Sequence, residues 1–117
     1  MENRVDYHEN GRAIMHLSGR LDAATSQSMR KLLNDVITQG YDHVVINLKD
    51  VSFVDSSGLS AIVAGYRTAR DQSGKLALVA VGAQAMVALK QTRLNQVLAI
   101  HENINAALAA FEESDEQ

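Results

Sequence analysis

The sequence contains no cysteine, no proline and no tryptophan, and its aromatic residues are three tyrosines and two phenylalanines. Without cysteine there is neither a disulfide framework nor a thiolate metal site, which fits a reducing compartment. Without proline there is no Pro-rich linker, and helices run free of internal breaks. Five aromatics are too few for a base-stacking platform. Cationic excess is missing too: 11 Lys and Arg stand against 14 Asp and Glu, for a net charge of -3. The basic residues are scattered, so broad nucleic-acid binding is not expected. No apolar run approaches the roughly 18 residues of a membrane-spanning helix. The opening Met1-Glu2-Asn3-Arg4 has no apolar signal-peptide core. A soluble, cytoplasmic protein with no membrane partner is the expectation.

What is present suits one folded domain. The chain has 117 residues, 46% of them hydrophobic and 21% charged, close to an ordinary globular composition. Residues 1–112 are expected to form this single domain, with 113–117 as a frayed acidic tail. Residues 4–8 alternate apolar and polar, Asn10-Gly11 signals a hairpin, and residues 12–18 read as its second strand. Gly19-Arg20-Leu21-Asp22 breaks that pattern. A helix is expected to begin between Asp22 and Thr25, with Met29, Leu32, Leu33, Val36 and Ile37 on its buried stripe and Gly40 as its stop.

Val44 to Leu48 is a β-branched run of the kind buried on both faces. A short loop is expected after it, then a helix from the Asp55-Ser56-Ser57-Gly58-Leu59 segment to just before Ser73-Gly74. Further strands are expected at 76–81 and 97–100, and helices at 84–91 and around Ile104, Leu108 and Phe111. The order β-β-α-β-α-β-α-β-α implies an α/β fold with a mostly parallel mixed sheet of about five strands and about four helices.

Asp55-Ser56-Ser57-Gly58-Leu59 joins an apolar strand to a helix, where sites cluster in open α/β sheets. Local chemistry reads it in two ways. A helix N-terminus offers free N–H groups and partial positive charge, so it can support a phosphate on Ser56, and Gly58 permits close backbone approach. Equally, Asp55, Ser56 or Ser57 serves as an ordinary N-cap, with Gly58 a loop residue.

The chain resembles a STAS domain, and within that family the stand-alone anti-sigma-factor antagonists of bacteria. The residues that carry the likeness are Gly19-Arg20-Leu21-Asp22, Val44 to Leu48, and Phe53-Val54-Asp55-Ser56-Ser57-Gly58-Leu59. The resemblance implies that Ser56 is a phosphoacceptor, and that Asp22 and Asp55 lie near it on a partner-binding surface that includes Ser57 and Gly58. It implies an ATP-using anti-sigma serine kinase as partner, a serine phosphatase that resets the switch, and a role in transcription regulation by partner switching. Ser60 departs from the pattern by adding a third hydroxyl, so Ser57 is the next candidate acceptor. The other role open to such a domain is a non-enzymatic scaffold or regulatory subunit of a sensory or transport complex. A monomer is the expected state.

Enzymatic readings fare poorly. A nucleophile elbow needs Gly-x-Ser-x-Gly, and Val54 stands where the first glycine belongs. His8, His16, His43 and His101 are widely spaced, with no His-x-x-x-His pair, so no metal site is expected. There is no phosphate-binding loop for ATP, and no cofactor is expected. Arg67 and Arg70 read as a solvated helix face, with contact to an acidic partner the alternative. Met15, Met29 and Met86 read as core filler.

Overall fold

A computed structural model describes residues 1–115. Five strands form one sheet: β1 (Glu2–His8), β2 (Arg12–Leu21), β3 (His43–Val54), β4 (Lys75–Val79) and β5 (Ala99–His101). Four α-helices alternate with them: α1 (Ser26–Thr38), α2 (Ser56–Asp71), α3 (Ala83–Gln91) and α4 (Ile104–Asp115). The sheet order is β1-β2-β3-β4-β5, with β1 antiparallel to β2 and every other pair parallel. This is the α/β mixed sheet that the sequence implied. The acidic segment expected to fray is helical as far as Asp115; Glu116 and Gln117 lie outside the described residues.

The topology decides which helix goes where. From β2 onward each new strand is added on the same side of the last one, through a helical crossover. Right-handed crossovers taken in one direction place all their helices on one face. Helices α1, α2 and α3 therefore share a face, and α4 returns over the other. The strands follow with period two. Ala13, Met15 and Leu17 of β2, Val44, Ile46 and Leu48 of β3, and Leu76 and Leu78 of β4 pack into the larger core. Ile14, Val45, Ala77 and Val79 point the other way, against Ala107 and Phe111 of α4. Each fully buried Leu, Ile, Val or Met contributes about 1.5–3 kcal/mol of transfer free energy.

Two strands are longer than their sequences suggest. β2 passes through Gly19 (φ +96°) to Leu21, where an end was expected. β3 continues through residues 49–54, across the short loop expected after Leu48. The two extensions pair with each other, Ser18 with Asp50 and Leu21 with Val54, across register shifts near Ser18 and Arg20. Lys49, Asp50 and Ser52 are exposed there, so hydrophobic patterning fades although the ladder persists. The fifth strand is Ala99–His101 rather than 97–100, because a 3-10 turn at Leu94–Gln96 takes up the preceding residues. Met15 and Met29 are fully buried, and Met86 is half-buried.

Candidate functional site: the head of the second helix

The extended β2–β3 pair delivers the motif to the C-terminal edge of the sheet. Leu21 and Val54 are opposite each other, so the residues that follow, Asp22 and Asp55, leave the sheet side by side. The Asp55 N–H donates to the Leu21 carbonyl at 3.2 Å, fixing the second loop to the first. Asp55 is the N-cap of α2: its backbone is extended (φ -107°, ψ -171°), and its Oδ1 accepts from the Gly58 N–H at 3.0 Å. Its carbonyl accepts from the Leu59 N–H at 2.9 Å. The capping expectation is thus met by Asp55, which leaves the serine hydroxyls free of that task.

Ser56 opens the helix and is exposed; Ser57 is half-buried, and Gly58 and Leu59 are buried. Of the N–H groups that a helix start leaves without an intrahelical partner, those of Asp55 and Gly58 are satisfied as described. The amides of Ser56 and Ser57 remain at the helix head beside the exposed hydroxyl.

Asp22 is held differently. Its Oδ1 accepts from the Ala24 N–H at 3.0 Å, its own N–H donates to Thr25 Oγ1 at 3.0 Å, and its carbonyl accepts from Ser26 at 2.8 Å. These bonds form the turn into α1, whose first flanking residue, Thr25, makes no side-chain cap. Arg20 Nε donates to Asp22 Oδ2 at 3.3 Å. Partial burial on its own would raise the Asp22 pKa. The hydrogen bonds from Arg20, Ala24 and Thr25 and the Arg20 charge outweigh that burial, and the carboxyl titrates below the usual aspartate value.

Three contacts support the site in ways that no sequence pattern showed. The Arg20 guanidinium lies 4.3 Å from the centroid of its cross-strand neighbour Phe53, a cation–π contact. Gln84, in the first turn of α3, bonds both main-chain groups of Val54: the Val54 N–H donates to Oε1 at 2.9 Å, and Nε2 donates to the Val54 carbonyl at 2.8 Å. β4 pairs with β3 only as far as Asn47, so this side chain substitutes for a strand next to the motif. Leu21, through its contact with Gly58, sets how closely α2 approaches β2.

Two of the histidines are engaged elsewhere. His16 contacts Asp6 at 3.1 Å through Nε2 and Asn47 at 3.0 Å through Nδ1, and His43 Nδ1 contacts Asp42 at 2.9 Å. Among the described residues no cluster of His, Cys, Asp or Glu is placed to hold a metal ion. No described helix is long and apolar enough to cross a membrane.

A mixed, mostly parallel sheet with three helices on one face, a fourth behind it and an Asp-capped serine at a strand-to-helix junction defines a class, and sequence comparison agrees. The STAS domain family model matches residues 4–107, and the chain belongs to that family. It is 32% identical over 106 residues to an anti-sigma F factor antagonist of Paenibacillus polymyxa, covering 90% of this chain and 91% of that protein. It is 34% identical over 79 residues to an anti-sigma-B factor antagonist of Bacillus subtilis, covering 67% of this chain and 72% of that protein. Among solved structures, an anti-sigma factor antagonist from Mycobacterium paratuberculosis superposes with a TM-score of 0.84 at 24% identity, over 95% of this chain and 93% of that one. The Bacillus cell-fate determinant SpoIIAA, solved in a phosphorylated form, superposes with a TM-score of 0.73 at 17% identity, over 93% of this chain and 98% of that one.

Proposed function

We propose that this chain is an anti-sigma-factor antagonist: unmodified, it binds an anti-sigma factor that is also a serine kinase, and phosphorylation of Ser56 releases it. The observation that carries this reading is the exposed Ser56 at the head of α2, with Asp55 already serving as the cap. The names of its relatives agree with it. In the modifying step the Ser56 Oγ–P bond forms as the bond between the γ-phosphorus and the bridging oxygen of ATP breaks. ADP leaves, and the hydroxyl proton passes to the kinase. The chain is a substrate in this step and performs no chemistry of its own.

A phosphoserine carries about -1.5 to -2 charges near neutral pH. The Ser56 and Ser57 amides and the α2 dipole receive it without unfolding the helix. The phosphate charge adds to that of Asp55 and of Asp22, the latter paired with Arg20. A partner fitted to a neutral hydroxyl then meets a hydrated dianion, and desolvating or opposing that group costs several kcal/mol. Each 1.4 kcal/mol is about a tenfold loss of affinity, so a local change suffices. A serine phosphatase restores the binding form.

The test is intact-mass measurement and peptide mapping of protein from its native host, across growth and stress. A fraction heavier by one phosphate and mapped to Ser56 is expected. If the protein stays unmodified under all conditions and Ser56→Asp leaves partner binding intact, the switch is wrong, and the chain is a scaffold or regulatory subunit.

A further inference from the structure

Below Ser56 a groove of about 350 Å³ runs along the outer surface of α2. Ser56, Ser60, Val63 and Arg67 all line it. Their spacing of four, three and four residues places them on one helical face. The eleven steps from Ser56 to Arg67 rise about 16 Å, so the groove is about three turns long. Its floor is apolar, made by Leu59, Val63, Ala64 and Leu94.

Its charge is of one sign. Arg30, from the second turn of α1, and Arg67 line the groove, and no acidic side chain does. Both arginines are exposed, and among the described residues neither forms an ion pair or a side-chain hydrogen bond. By contrast, Arg4 and Arg20 are each paired with a nearby aspartate. In a chain of net charge -3, two unpaired guanidinium groups along one apolar groove are a local reversal of sign.

We infer that this groove seats an acidic amphipathic helix of a protein partner. Leucine-type side chains of that helix would fill the space over Val63 and Leu94, and its carboxylates would meet Arg30 and Arg67. Guanidinium groups suit this role because they pair carboxylates through two parallel hydrogen bonds. The inference rests on the proposed binding of a protein near Ser56 and adds how release is enforced. Helices α1 and α2 both start at the C-terminal edge of the sheet, so Arg30 lies toward the Ser56 end of the groove and Arg67 toward the far end. A phosphoryl group at Ser56 places negative charge at the mouth of this basic groove. It repels the incoming carboxylates and competes for Arg30.

The test uses the full chain, labelled with ¹⁵N, and three helical peptides of one design: leucines at i, i+4 and i+7, flanked by glutamates, glutamines or lysines. The glutamate peptide is expected to shift the amides of residues 59–67 and 92–94, with the glutamine peptide weaker and the lysine peptide inactive there. Arg30→Glu and Arg67→Glu should each weaken the glutamate peptide roughly tenfold while leaving the melting temperature unchanged. Ser56→Asp should weaken it as well. No shift in those amides, or equal binding of the lysine peptide, overturns the inference. Mapping the phosphate to Ser56 is a separate measurement, so a protein modified on Ser56 whose groove ignores the glutamate peptide keeps the switch and loses the groove.

Discussion

Gly58 abuts the end of β2 so closely that a methyl group on its Cα would fall inside van der Waals contact of the Leu21 carbonyl oxygen and 2.8 Å from Leu21 Cγ. The Leu21 carbonyl is also the acceptor for the Asp55 N–H. One carbonyl thus sets both the start of α2 and its distance from the sheet. In an exposed helix, alanine would gain up to about 1 kcal/mol over glycine. Here the clash is with backbone, which cannot rotate away, and overpacking of this kind costs about 1–3 kcal/mol. Gly58→Ala is therefore expected to be destabilising in urea denaturation, with the Ser56 and Ser57 amides displaced in NMR spectra. An unchanged or higher midpoint would show that the helix shifts without cost.

Gln84 gives a second prediction. Its amide makes two hydrogen bonds to the Val54 main chain, where β3 has outrun β4. Intramolecular hydrogen bonds contribute about 0.5–1.5 kcal/mol each, and Gln84 is exposed enough for water to replace part of them. Gln84→Ala is expected to cost about 1–2 kcal/mol. The more telling readout is local: amide exchange at Val54 should accelerate far more than at Val45, in the middle of the same strand. Equal protection at Val54 in variant and parent would show that the clamp is incidental.

These two contacts mark where the sequence stops being legible. Val44 to Leu48 and the Met29-Leu33-Val36-Ile37 stripe were readable because burial imposes a period on them. A cap in the Asp55-Ser56-Ser57 stretch was readable because short polar side chains ahead of an apolar helix favour that position, and the structure assigns it to Asp55. The stretch 49–54 was not, since Lys49, Asp50 and Ser52 face solvent and its pairing partner arrives through two register shifts. Arg20 over Phe53 and Gln84 on Val54 depend on which strands and helices become neighbours, and no local pattern encodes that. Ser56, Asp22 and Asp55 were found together by family likeness; the Leu21–Val54 pairing is the physical reason that two loops 33 residues apart meet.

Arg93 sits in the left-handed region, at φ +62° and ψ +15°, between α3 and the 3-10 turn. That conformation costs a non-glycine residue about 1–2 kcal/mol. Glycine removes the strain but adds about 0.4–1 kcal/mol of unfolded-state entropy. Arg93→Gly is thus expected to be stabilising by up to about 1.6 kcal/mol, the difference of those two terms. A lower denaturation midpoint would mean that the Arg93 side chain contributes more than its backbone strain costs.

The depressed pKa of Asp22 fixes the sign of a pH effect. Burial raises it, and the bonds from Arg20, Ala24 and Thr25 outweigh burial and lower it, so the folded value lies below the unfolded one. Such a group adds stability above its unfolded pKa of about 3.9 and loses it as pH falls through the folded value. The Asp22 carboxyl, followed by NMR, should titrate below the usual aspartate range. Arg20→Ala should move it upward while leaving the Ala24 bond in place. A carboxyl unmoved by removal of Arg20 would assign the depression to the backbone N–H groups alone.

Ser56 variants separate charge from shape. Ser56 is exposed and Asp55 supplies the cap, so Ser56→Ala removes no structural hydrogen bond of the helix start and should alter stability by less than about 0.5 kcal/mol. It should still bind the anti-sigma partner and accept no phosphate. Ser56→Asp adds one negative charge beside Asp55 at a position where the α2 dipole tolerates it, so the fold should persist. Binding should fall by at least about tenfold, since a carboxylate brings to the interface part of the charge and hydration that a phosphate would. If Ser56 is the acceptor, as proposed, Ser57→Ala, at a half-buried position, should behave like the parent. Calorimetric titration of the partner into the three variants, with melting temperatures measured alongside, checks the set. Loss of binding in Ser56→Ala would point to a hydroxyl contact rather than a charge switch, and full binding by Ser56→Asp would remove the electrostatic basis for release.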